Sequence, residues 1–207
     1  MEQDTVAQFF KGSGGAYRFA RWGRPIVPIV FGVDDATLEV VKGAIEAVVV
    51  LADHKMADHD PELGANFLLF FFRDWDELTE VPNMDQLVPE LVSRVERLKA
   101  EGTNQYRLFR FDDAGAIQAV FSFVRMDEAL ADVPAEDLAL AQAAQAMLTW
   151  SNSAFQGGGP LGRAEDNVIL RPDVSAIIQA AYDPVMPAAA KDASHALRLA
   201  ARMGVAS

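Results

Sequence analysis

Cysteine is absent from the 207-residue chain, which excludes disulfides, thiolate metal sites and a cysteine nucleophile. The compartment stays open, because cysteine-free chains occur inside and outside cells. Histidine is scarce as well, with three in all. Basic residues are outnumbered, 18 against 30 acidic ones, giving a formal charge of −12. A chain that acidic is repelled by phosphate backbones and anionic headgroups, so nucleic acid and anionic membranes are not expected partners. Long apolar runs are missing too. The longest, AVVVLA at 47–52 and Phe67–Phe72, fall far short of the roughly 20 residues that span a bilayer. The opening MEQDTVAQFF shows no basic stretch leading into an apolar one, so no signal peptide is expected there. On this reading the chain is soluble, cytoplasmic as it stands, or periplasmic if a leader has been removed. No G-x-S-x-G, S-x-x-K or H-E-x-x-H occurs, so the common hydrolase motifs are also lacking.

What is present suits a folded domain. Hydrophobic residues make up 51% of the chain, with 13 Phe among them, enough to bury a sizeable core. Residues 1–24 read as a weakly ordered lead-in ending in the glycine cluster of KGSGGAYR, and 25–203 as a single domain. PIVPIVF (25–31) reads as a strand whose Pro28 implies an edge or a bulge, since proline cannot donate to the ladder. Asp34 or Asp35 can cap a helix whose Leu38, Val41, Ile45, Val48 and Ala52 share one face. ANFLLFFFRD is an apolar run typical of a strand covered on both sides. Leu87, Leu91, Val95 and Leu98 mark another helix, with Pro89 blurring its start.

QYRLFRF and AIQAVFSFVR alternate around DDAG as a hairpin, with Ile117, Ala119, Phe121 and Phe123 on one face and Gln118 and Ser122 on the other. After it the strands are expected to stop. A helix follows in PAEDLALAQAAQAMLTW with Pro134 near its first turn, then a loop, then helices at Pro172–Tyr182 and Ala188–Met203. The order β-α-β-α-β-β followed by three helices predicts an α+β fold: a mixed sheet with helices packed on it.

Candidate sites are few. LADHKMADHDPE gathers His54 and His59 with three aspartates. Five residues apart, the two histidines do not share a helical face, and the calcium-loop spacing is missing. The stretch reads as the solvated end of a helix, where His54 and Lys55 meet the negative end of the dipole. A metal site using His54 and His59 is the competing reading. His195 falls in a polar stripe with Lys191, Arg198 and Arg202 and is expected to be exposed. GSGG (12–15) and GGGPLG (157–162) lack the spacing of phosphate loops and read as flexible loops. YRFARWGRP clusters Arg18, Arg21 and Arg24 around Phe19 and Trp22. Those arginines either pair with the chain's own carboxylates or take an anionic or planar ligand. Gln145 sits within an apolar stripe of Leu138, Ala141 and Leu148, with Gln142 three residues earlier. A buried amide must be hydrogen-bonded, so these glutamines either tie down a loop or line a pocket.

WGRPIVPIVF, ANFLLFFF, the glutamine-containing helix ending in SNSAF, and AAYDPVMPAA together resemble an uncharacterised proteobacterial family, several members of which are described as lipoproteins. That family is similar to zinc metallopeptidases in the order of its elements. The resemblance implies a zincin-like fold in which the helix bearing Gln142 and Gln145 occupies the place of the zinc-binding helix. A zincin uses histidines and a glutamate there. Glutamine is no general base and a poor zinc ligand, so a scaffold without zinc or catalysis is implied.

The expected function is therefore a non-catalytic domain without a cofactor. It would bind a peptide, a protein or a small anionic ligand in a cleft beside Gln142 and Gln145, with Arg18, Arg21, Trp22 and Arg24 contributing. Two alternatives stand beside it: a metal-dependent hydrolase built on His54 and His59, and an envelope or assembly protein acting through an exposed apolar patch.

Overall fold

The computed structural model describes residues 3–155, 158–165 and 167–203. Its centre is a four-stranded sheet in the order β2-β3-β5-β4. β2 (Pro28–Phe31), β3 (Phe67–Phe72) and β5 (Ile117–Arg125) run parallel, and β4 (Gln105–Phe111) pairs antiparallel with β5. The fold is α+β, as the element order predicts. Pro28 lies on an edge strand, where its missing N–H costs no ladder bond. β3, in the interior of the sheet, is covered on both faces, which explains its unbroken run of Phe and Leu.

Two layers of helices cover the sheet. On one face lie α2 (Asp35–Leu51), α7 (Ala135–Met147), α8 (Pro172–Tyr182), α9 (Ser194–Met203) and the short α1 (Gln3–Gln8). On the other lie α3 (Glu77–Glu80), α4 (Met84–Leu87) and α5 (Leu91–Ala100), packed on Phe70, Phe72, Phe121 and Phe123. Asp34 caps α2 by accepting from the Thr37 N–H at 2.8 Å, and Val41, Ile45, Val48 and Ala52 are buried as their spacing requires. A further short helix, α6 (Glu128–Ala131), leads from β5 into α7.

Several expectations are corrected. Residues 3–24 are no lead-in. Val6, Phe10, Phe19 and Trp22 lie in the main core, because their partners come from the other end of the chain. β1 (Phe19–Ala20) pairs with β8 (Ala189–Ala190), and α1 packs on α9. Strands do not stop after the hairpin either: β6 (Leu161–Ala164) and β7 (Asn167–Leu170) form a second hairpin within the expected loop. The last helix begins at Ser194, since Ala189 and Ala190 are spent on β8. Leu87 belongs to α4, cut off from α5 by Pro89. Ile117 joins the opposite face from Ala119, Phe121 and Phe123. Arg110 is paired with Ala119 and Phe111 with Ile117, so Gln118 is an extra residue, and such a bulge shifts the alternation by one. Ser122, on the face expected to be polar, is fully buried because α7 covers it.

Candidate functional site

Three of the four residues in the arginine–tryptophan cluster are built into the scaffold. Trp22 is 0% exposed, and its Nε1 donates to the Ala146 carbonyl at 2.9 Å, fastening the chain to the end of α7. The Arg21 guanidinium donates to the carbonyls of Trp22 and Met186 and stacks over the Tyr182 ring. Arg24 pairs with Glu62 at 2.6 Å and with the buried Asp60 at 3.4 Å. Asp60 is held by Asn66 and by the backbone N–H groups of Glu62 and Leu63. None of these residues lines the groove described below.

The histidines are also occupied separately. His54 is half-buried against Tyr182, with Nε2 2.9 Å from the Arg24 carbonyl oxygen, and burial lowers its pKa. His59 is exposed. Among the described residues no group of three or more His, Asp or Glu side chains is placed to hold a metal ion. His195 is buried at 3% exposure, not on an outer stripe. Its Nδ1 lies 2.8 Å from Tyr17 Oη and its ring rests on Phe19. The glycine stretch at 12–15 is a tight turn, with Gly15 at φ +77°. Gly157 of the second stretch lies outside the described residues.

A groove of about 1060 Å³ runs along the outer side of β4. Leu98 and Glu101 from the end of α5, with Tyr106, line one wall. Gln145 of α7 and the 149–155 segment line the other, with Phe10 and Arg18 beside them. The lining thus comes from both helical layers, so the groove follows the open edge of the sheet between them. β4 is that edge. Among the described residues, no backbone group of 105–111 on its outer side bonds to another segment. Phe109, Phe111, Trp150 and Phe155 add aromatic surface.

Inside the groove the alternation of β4 sets the chemistry. Gln105 and Arg107 face α7, whereas Tyr106 and Leu108 pack on α5. Gln142 is 1% exposed. Its Nε2 donates to Gln105 Oε1 at 2.7 Å, and Arg107 Nη2 donates to Gln142 Oε1 at 3.3 Å and to Gln105 Oε1 at 3.4 Å. Burial draws the Arg107 pKa down to about 10, still protonated at neutral pH. Arg107 Nε and the Ser122 hydroxyl, on directly opposed residues of the β4–β5 ladder, are buried without a partner among the described residues.

Of the residues singled out from sequence, Gln145 and Arg18 therefore line the groove, and Gln142 supports it from beneath. Arg21, Trp22 and Arg24 stand elsewhere. Arg107 was missed, although a charge sharing a strand face with Gln105 and Phe109 is the signal that could have found it. Comparison with family models, curated proteins and solved structures finds no match to the chain. No helix among the described residues is long and apolar enough to cross a membrane.

Proposed function

We propose that this protein is a non-catalytic binding domain whose groove takes an extended peptide as an added strand on β4. The observation that carries the reading is the unpaired outer edge of β4 lying along a groove walled by both helical layers. An extended peptide laid there gains main-chain hydrogen bonds from the strand and alternate side-chain pockets from the aromatic walls. The charges favour an acidic peptide: Arg18, Arg97 and Arg107 line the groove against Glu101 alone, in a chain that otherwise carries surplus negative charge.

The same reading accommodates a degenerate metallopeptidase-like scaffold. α7 flanks the groove with Gln142 and Gln145 where the resemblance would set zinc-binding side chains, and neither amide can activate water. Titrating a pool of randomised octapeptides, while following the backbone amides of Gln105–Phe111 by NMR, tests the proposal. Slowed hydrogen exchange at alternate β4 amides is expected. Unchanged exchange along the whole strand at saturating pool concentration would overturn it.

A further inference from the structure

We infer that the floor of this groove reads a carboxylate, with Arg107 as the reader and Arg18 as its partner across the groove. The occupant is then an extended peptide carrying an acidic residue or a free C-terminal carboxylate at that point. The inference rests on the peptide reading above and deepens it.

Arg107 is a half-buried cation in a chain with 30 acidic residues, yet among the described residues no carboxylate lies within ion-pair distance of it. Arg24, Arg125, Arg171 and Arg202, all partly buried, each pair with an Asp or Glu, and the half-buried Arg21 and Arg110, which do not, each donate to two main-chain carbonyls. Arg107 instead has two long contacts to amide oxygens through Nη2, and its Nε is buried with no partner among the described residues. Burying a guanidinium without an anion is costly, so its retention on an inward strand face calls for a compensating partner. Among the described residues Nη1 makes no hydrogen bond, and it is not one of the buried unpartnered atoms, which leaves it as the end of the side chain toward the groove that Arg107 lines.

The Gln105–Gln142 pair explains why the arginine is held ready. The short 2.7 Å bond between the two amides turns both Oε1 atoms toward Nη2. This fixes the plane of the guanidinium and leaves Nη1 as its free end. Gln142 is thus a positioning residue. Acceptor oxygens on one side of the arginine also disfavour a bulky phosphate, whose remaining oxygens would crowd them, and suit a planar carboxylate. Across the groove, the exposed Arg18 side chain forms no ion pair or hydrogen bond among the described residues. It adds attraction and on-rate without a fixed geometry.

Three amidated octapeptide pools, identical except for a central Asp, Asn or phosphoserine, test this against the whole protein by fluorescence anisotropy, with the β4 amides followed in parallel. The Asp pool should bind about tenfold or more tightly than the Asn pool. That preference should vanish in Arg107→Gln. In Arg18→Gln, an exposed substitution that leaves the core intact, the association rate for the Asp pool should fall severalfold while discrimination persists. If Asp and Asn pools bind equally while β4 amides are protected, the groove binds peptides but Arg107 merely blunts an exposed edge, and the carboxylate inference is overturned. Preference for phosphoserine over Asp overturns it in favour of phosphate. If no pool alters the β4 amides, the peptide reading itself fails.

Discussion

Tyr17 Oη and His195 Nδ1 stand 2.8 Å apart, a contact between residues 178 positions distant in sequence. Both rings are buried, and Phe19 packs on the imidazole from a ring centre 4.2 Å away. The pair closes the join between the first segment of the fold and its last helix, and it sets how the protein responds to acid.

Burial pushes the His195 pKa down to about 4, with Arg198 acting in the same direction. An unfolded histidine titrates near 6.5, so below that pH the unfolded chain takes up a proton that the folded one refuses. Stability is therefore complete above about pH 6.5 and is lost as pH falls toward 4. Between pH 7 and 5 the loss should be about 2 kcal/mol. Urea midpoints at these two pH values should move much further in the wild type than in His195→Leu. A residual slope in the variant is expected from His54, whose pKa is lowered mainly by burial. Equal slopes in both proteins would contradict the assignment.

Asn66 is fully buried and serves three partners: it accepts from the Val27 N–H and donates to the Pro25 carbonyl and to Asp60. Asn66→Asp sets a second carboxylate against Asp60 and removes both donated bonds. The expected cost is about 3–5 kcal/mol at neutral pH. Like charges raise the pKa of the new pair above its unfolded value, so the penalty should shrink as pH falls and the pair takes up a proton. Thermal melts of both proteins at pH 7 and 4.5 check the direction: the gap in Tm should narrow in acid.

Gly32 follows β2 at φ +82°, and a Cβ there would stand 1.9 Å from the Phe71 carbonyl oxygen. Gly32→Ala should destabilise by roughly 2–4 kcal/mol through clash and backbone strain. Gly43, by contrast, lies in mid-α2 with nothing near its missing Cβ, so Gly43→Ala should stabilise by about 0.5–1 kcal/mol. Opposite shifts of the urea midpoint are the expected result.

Trp22→Ala empties a large buried site and strips the Ala146 carbonyl of its indole donor. About 3–5 kcal/mol of stability should go, whereas truncating a residue in a loose leader would cost almost nothing. Denaturant unfolding of the purified variant separates the two cases.

The central framework was legible in the sequence where a single periodicity ran long enough to be read. α2 shows its apolar stripe and its aspartate cap, β3 its unbroken apolar run, and β4–β5 their alternation. Segments that depend on distant partners were not. Phe19–Ala20 and Ala189–Ala190 are strands of two residues, too short for any pattern, and exist because each pairs with the other. The glycine turn at 12–15 hid the fact that the residues on either side of it are core. His195 shares a polar spacing with Lys191, Arg198 and Arg202, yet Tyr17 and Phe19 cover it. Tertiary packing, not helical periodicity, decided its burial.

The groove was half legible. An amide amid an apolar stripe on α7 marked Gln145 and its neighbour Gln142 as unusual, and both do bear on it. Arg107 escaped because charges on a strand, here Arg107 and Arg110, read as outward positions until the cover of α7 is known. Arg21 and Arg24 drew attention by their charge, but the scaffold consumes them.

The pairing of β1 with β8 also bears on synthesis. Phe9, Phe10, Phe19 and Trp22 find their cover among residues 146–203, which leave the ribosome long after them. The four-stranded sheet can assemble in the interval and offers Trp22 the Phe67 ring and a bridge to Ile117, but the rest of the cover of these aromatics arrives only with residues 146–203. Such long-range closure slows folding and leaves a sticky aromatic segment open to chaperones throughout translation. Within this domain, the earlier segment is the one whose packing is finished last.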